Sequence, residues 1–265
     1  MLWRGRATQC GRLCYQCGPA ALATALVSSG VKVTPDELVS QVYIPERKGS
    51  LQVEMMAAAR RRGLVSYELA PRFDDLLREI AAGTPVIVLQ RLGFIGGWHY
   101  AVAIGYDYDR GQLILRSGET ERELLPFAVH EMVWKRSGYW AMVAVPPERI
   151  PATAEESRWL AAIAALERTG AASAASPAYA SFLKRWPENI AAAIGLANTH
   201  HALGELHLRR GGRPDPSHAP QQRRAQHGMV DRADRRGRRD HRGHEYVAAL
   251  TFPSLEPLHS RYENH

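Results

Sequence analysis

The residue best placed to do chemistry in this chain is Cys17, in Gln16-Cys17-Gly18-Pro19-Ala20-Ala21-Leu22-Ala23. It stands immediately ahead of a run of small apolar residues that reads as a helix. The start of a helix leaves backbone N–H groups unpaired and carries a positive partial charge. A thiol placed there is expected to have a lowered pKa and to react as thiolate. The same N–H groups are expected to stabilise an oxyanion. One short stretch therefore offers a nucleophile and part of an oxyanion hole.

A cysteine nucleophile needs a base that is distant in sequence and near in space. The chain has eleven histidines, and nine of them lie at or beyond position 200. Only His99 and His130 precede them. His99 follows the glycine-containing loop 93–97 and begins a predicted strand, where a side chain can project into a cleft. His130 sits on a predicted helix between Val129 and Glu131, with no loop nearby. His99 is the candidate base.

These residues need elements to hold them. Residues 18–29 read as a buried helix closed by Gly30. Thr34 and Pro35 read as a cap and first turn, Ser50 as the opening of a further helix running to Gly63, and 73–82 as another. The period then changes. Residues 85–90 form a short apolar run expected of a buried strand. Residues 98–106 and 112–116 form a hairpin about Asp109-Arg110-Gly111. A helical piece is expected near 126–135 and a strand over 139–145. Helices first and antiparallel strands second is an α+β order.

Pro146-Pro147 and Pro151 mark a linker. Beyond it, 155–168, 177–185 and 189–206 read as helices. The arrangement of Ala192, Gly195, Leu196, Asn198, Ala202, Leu203 and Gly204 resembles the first helix of a tetratricopeptide repeat. The expected division is 1–148, 152–208 and 209–265. The last segment is rich in Arg and His and is expected to have low order. From Arg209 to Arg242 it holds eleven Arg against four Asp, which accounts for the whole net charge of +7. The tail lacks interleaved aromatics, so nucleic acid is not an expected partner. Pro214-Asp215-Pro216 resembles a turn between repeats, which points to an out-of-frame continuation of a repeat array.

Taken together, Cys17-Gly18-Pro19-Ala20-Ala21 opening a helix and Trp98-His99-Tyr100-Ala101-Val102 opening a strand resemble a papain-like cysteine peptidase. The likeness is to the peptidases that process bacteriocin leaders. Gly49-Ser50-Leu51-Gln52-Val53-Glu54-Met55 and Leu115-Arg116-Ser117-Gly118 resemble a subgroup fused to tetratricopeptide repeats. The resemblance covers about residues 15–206. It implies a papain-like fold and a peptide or protein substrate. Cys17 would attack the scissile carbonyl, and His99 would take and return the proton. It also implies a protein partner for the repeat-like helices, and no cofactor or metal. The family's upstream oxyanion Gln falls at Arg12 or Gly11, which leaves Gln16 and Gln9 as the nearest glutamines, with Gln16 the candidate. The family's orienting Asp falls near Ser117, with Asp107 as another candidate.

Other readings of the same residues stand beside this one. The missing carboxylate and Gln support a degenerate peptide-binding module. A cysteine on an Ala-rich helix can simply be packing. The spacing Cys10-x-x-x-Cys14-x-x-Cys17 resembles the iron–sulfur loop of radical S-adenosylmethionine enzymes. Repeated βα units and a Gly-Gly-Glu stretch are missing, and Tyr15 is one place early, which makes this a remote alternative. Three cysteines so close together cannot staple distant parts of a fold. No apolar run is long enough to span a bilayer, and 1–16 has no apolar core of a signal peptide. Cytoplasm is the default expectation, and a start lying further upstream would point to the periplasm or a membrane anchor.

Overall fold

The computed structural model describes residues 16–92, 97–118 and 120–204. In chain order its elements begin with α1 (Cys17–Ser28), α2 (Pro35–Val42), β1 (Tyr43–Ile44), β2 (Gly49–Ser50), α3 (Gln52–Arg61) and β3 (Val65–Glu68). They continue with α4 (Phe73–Ala81), β4 (Val86–Arg91), β5 (Trp98–Asp107), β6 (Gln112–Ser117), β7 (Thr120–Pro126), α5 (Phe127–Lys135) and β8 (Ala141–Val145). Three further helices follow: α6 (Glu156–Glu167), α7 (Ala172–Arg185) and α8 (Ile190–Ala202).

Local chemistry sets several of these boundaries. Thr34 caps α2 in a reciprocal box: its hydroxyl accepts from the Glu37 N–H, and the Glu37 carboxylate accepts from the Thr34 N–H. The C-terminal end of α1 is pinned to the sheet by Ser29, whose hydroxyl donates to the Ala144 carbonyl at 2.7 Å. The residues expected to open α3 prove different. Ser50 lies in β2, paired with Tyr43, and α3 begins only at Gln52.

Six strands form one antiparallel sheet in the order β3-β8-β4-β5-β6-β7. Both faces of its centre are covered. On one side α1, α2 and α3 bring Leu22, Leu26, Leu38 and Met55 against Ile87, Leu89, Tyr100, Val102 and Met142. On the other, α4, α5 and α6 bring Leu76, Ile80, Trp134, Trp159 and Ile163 against Val86, Val88, Ala101, Ala103 and Val143. This double cover is why 85–90 reads as a continuous apolar run rather than an alternation. Two strands have no such signal. β3 has four residues, and β7 is an edge strand carrying Glu121, Arg122 and Glu123, as edges protected from further pairing do.

The segment expected to be a linker is tied down. The Glu79 carboxylate accepts from both the Thr153 N–H at 2.7 Å and the Thr153 hydroxyl at 2.6 Å. The Tyr67 phenol donates to the Thr153 carbonyl and accepts from the Glu155 N–H. The Trp159 ring meets Tyr67 edge-on at 5.6 Å. The first of the three C-terminal helices thus shares one apolar cluster with the sheet. α7 begins at Ala172, five residues earlier than expected, so Pro177 lies inside it.

α7 and α8 approach closely because Gly195 faces the Tyr179 ring. A Cβ at that position would stand 2.6 Å from Tyr179 Cε1, and the Tyr179 hydroxyl is itself held by Glu167 at 2.6 Å. Gly195→Ala is expected to lower stability by roughly 1–3 kcal/mol, the usual penalty for overpacking. An unchanged urea midpoint would contradict the close approach.

Candidate functional site

Cys17 is the first residue of α1, with Gln16 as its N-cap. The Gln16 carbonyl accepts from the Ala20 N–H at 2.9 Å, while its side chain makes no capping bond to the helix. Pro19 falls in the first turn, where its missing N–H is not needed. The N–H groups of Cys17 and Gly18 are directed at the sulfur, and a third donor comes from β5, the backbone N–H of Tyr100.

Strand register explains why that third donor is available. Tyr100 faces Leu89 on β4. The Leu89 N–H, however, donates away from β5, to the Trp140 carbonyl at the approach to β8. Antiparallel partners alternate between bonded and non-bonded pairs, so Tyr100 turns its own N–H toward β6. Pairing of β5 with β6 starts only at Val102 and Arg116. β6 ends at Ser117, and the Tyr100 N–H, which lies before the first β5–β6 pair, meets the sulfur instead.

Two contacts fix α1 in this position. Gly18 packs on Ser50, and a Cβ at Gly18 would stand 2.6 Å from Ser50 Cβ and closer still to its Oγ. The Ser50 carbonyl in turn accepts from the Tyr100 phenol at 3.1 Å. Ser50 and the main chain of Tyr100 were not singled out from the sequence. The only sign of them is that both lie in the stretches carrying the family resemblance. A small depression beside this junction is lined by Ala20, Ala21, Thr24, Tyr100, Arg116 and Gly118.

His99 directly precedes Tyr100, so the N–H that reaches the sulfur belongs to the peptide joining these two residues. Its Nε2 lies 2.8 Å from Ser117 Oγ, at the last position of β6. Cys17, His99, Ser117 and Gln16 therefore gather at one end of the sheet. Asp107 does not join them. It lies at the opposite end of β5, roughly 25 Å away at the rise of a strand, and its carboxylate accepts from the Arg110 N–H at 3.0 Å in the hairpin turn. His130 is fully buried on the far face, between the rings of Phe73 and Trp134, with Nδ1 2.9 Å from Gln90 Nε2. Burial pushes its pKa down to about 4, so it is neutral.

The electrostatics correct one expectation. The Cys17 thiol is raised, not lowered, because the side chain is 7 % exposed and burial disfavours the thiolate. The N–H groups of Tyr100, Gly18 and Cys17 pull the other way and do not offset it. Burial also lowers His99. In both groups burial disfavours the charged form.

Cys10 and Cys14, together with Gln9, Gly11 and Arg12, lie outside the described residues, as does the segment 209–265. Among the described residues no group of three or more His, Cys, Asp or Glu could hold a metal ion. No described helix is long and apolar enough to cross a membrane.

With this geometry in hand, comparison adds the following. A family described as "Peptidase_C39 like family" matches residues 5–142, slightly more than half of the chain. Among solved structures, a putative C39-like peptidase from Bacillus anthracis is 16% identical over 49% of this chain and 88% of its own, with a TM-score of 0.41. The peptidase domain of Streptococcus ComA, a bifunctional ABC transporter, is 20% identical over 50% of this chain and 92% of its own, at 0.42. A double-glycine-motif protease from an AMS/PCAT transporter, solved with a leader peptide, is 20% identical over 49% and 84%, at 0.40. No curated protein matches the chain.

Because the thiolate is the charged form and burial disfavours it, Cys17 titrates above its ordinary value. Iodoacetamide labelling of the Cys17 peptide, followed by mass spectrometry, is therefore expected to accelerate continuously from pH 7 to pH 9. A rate already level below pH 7 would instead reveal a preformed thiolate.

Proposed function

Since the chain belongs to the Peptidase_C39-like family, we propose that it is a cysteine peptidase hydrolysing peptide bonds in a peptide or protein substrate. The observation that carries this reading is the junction at the head of β5. The Tyr100 N–H reaches the Cys17 sulfur, and the adjacent His99 is held from behind by Ser117.

In this reading Cys17 is the nucleophile. With the Ser117 hydroxyl accepting from Nε2–H, the His99 Nδ1 keeps a lone pair, the acceptor that a thiol proton needs. Because burial disfavours the charged form of both groups, the proton moves to His99 as the sulfur attacks, forming the S–C bond. His99⁺ then protonates the departing amine as the C–N bond breaks, leaving a thioester. Water, deprotonated by His99, hydrolyses the thioester and restores the thiol. The N–H of Cys17 supports the oxyanion, and the Gln16 side chain is the second candidate donor. Ser117 orients the imidazole as a neutral partner. Neither metal nor cofactor is required for these steps.

The arrangement of α1 against β5 and β6 is read as papain-like. We assign 1–148 to the peptidase unit and 152–208 to a tetratricopeptide-like region that recruits a protein partner, with 209–265 as a basic tail. The Gly195–Tyr179 approach between α7 and α8 supports the repeat reading, since repeat helices pack through small residues.

Replacing Cys17 or His99 by Ala is expected to lower kcat/KM on a peptide substrate at least about 1,000-fold, as loss of a nucleophile or base does. Ser117→Ala is expected to lower kcat roughly 10-fold, since it removes a neutral hydrogen bond only. One observation favours a second reading, a non-catalytic peptide-binding module: the group behind His99 is a hydroxyl and not a carboxylate. Peptide binding that survives Cys17→Ala, with no turnover in the unaltered chain, would establish it.

A further inference from the structure

We infer that Gln90 and His130 are positioning residues for His99. In the β4–β5 ladder Gln90 stands directly opposite His99. Directly opposed residues of an antiparallel pair project from the same face, with Cβ atoms about 5 Å apart. His99 is therefore flanked on both sides: its imidazole meets Ser117 on β6, and Gln90 is its register partner on β4. The Gln90 amide is fixed in turn by His130 on α5, at 2.9 Å. His130 is wedged between Phe73, at 6.0 Å ring to ring, and Trp134, at 5.4 Å. The next rung of the ladder, Arg91 opposite Trp98, is clamped by the guanidinium lying 5.5 Å from the indole ring. A path thus runs from α5 through the Gln90 amide to the strand position directly opposite His99.

The cost of this pair is the reason to assign it a role. Gln90 and His130 are both buried, His130 beside the aromatic rings of Phe73 and Trp134, and among the described residues His130 Nε2 has no hydrogen-bond partner. Burying polar groups imperfectly paired is unfavourable, and two apolar side chains of the same shape would pack as well or better. What a hydrogen-bonded pair adds over an apolar one is a single orientation. Gln90 is where orientation matters, since a side chain rotating there would release one wall of the His99 ring. Nothing about a purely structural layer requires polar groups at that one rung.

The role of His99 as base rests on the proposed peptidase activity, whereas its positioning by Gln90 does not. The test uses the full chain with Gln90→Leu, His130→Phe and the double variant, followed by peptide hydrolysis, urea unfolding and histidine-ring ¹⁵N NMR. Each single variant leaves a buried polar partner stranded and is expected to lose stability. The double variant strands neither and is expected to regain it. If the pair positions His99, kcat stays roughly 10-fold down in the double variant while KM is unchanged, the pattern of a misplaced group. The His99 ring resonances, assigned with His99→Gln, are then displaced or broadened in all three. Recovery of kcat together with stability in the double variant would overturn the proposal, as would unchanged His99 resonances. Should a single variant not fold, the double variant decides by the same readouts. Should the unaltered chain hydrolyse nothing, the peptidase reading fails, and the resonances alone decide the positioning claim.

Discussion

The structure turns on one hydrogen bond, from the Tyr100 N–H to the Cys17 sulfur. It exists because β5 is paired with β4 from Trp98 to Ala103 while its pairing with β6 begins only at Val102. An N–H before the first β5–β6 pair has no strand partner on that side and needs another acceptor. The sulfur at the start of α1 supplies one. The rest of the helical layer serves this placement: Gly18 admits Ser50, Ser50 accepts from the Tyr100 phenol, and Ser29 ties the far end of α1 to β8. A side chain larger than hydrogen at Gly18 would push α1 off the very strand it must reach.

The same burial that makes this junction rigid also sets its chemistry. A sulfur enclosed by helix and sheet resists becoming a thiolate, and an enclosed imidazole resists becoming a cation. Three N–H donors moderate this for the sulfur without reversing it. A neutral thiol beside a neutral imidazole is consistent with a neutral hydroxyl behind the ring. Among the described residues no charged group acts on the imidazole in the resting state. In the proposed mechanism the charges arise only during attack, where the oxyanion donors are already in place.

The opposite face of the sheet is built from different material. It holds the aromatic layer of Phe73, Trp134 and Trp159 together with buried polar side chains that include Glu79 and His130. Glu79 uses its carboxylate to anchor Thr153, so the chain leaving the sheet enters α6 along a bonded path and not a loose tether. The sheet and the helix that follows it therefore share one side of one core. A recruitment surface on the C-terminal helices, as proposed, would be connected to the peptidase unit through this junction.

Much of the architecture was legible in the residues. The helices over 18–29 and 73–82 and the hairpin about Gly111 follow from periodicity, caps and turn residues, which act locally. The proposed nucleophile and base, Cys17 and His99, were picked out as candidates from the sequence, one from its helix start and the other because most histidines lie elsewhere. β3 and β7 were not, because a four-residue strand and a charged edge strand carry little apolar signal. Ser50 was misread as a helix start because its pairing partner, Tyr43, is a matter of strand contact and not of local propensity. The direction of the thiol's pKa was also beyond reach. A helix terminus can be read from sequence, but the depth to which the fold buries it cannot. The sequence by itself determined which groups are available for chemistry, since identity and spacing are local properties. Only the tertiary structure decided that Ser117 and not Asp107 stands behind His99, that Gln90 stands beside it, and that the thiol is raised. Each of these depends on register and burial, which belong to strands meeting in space.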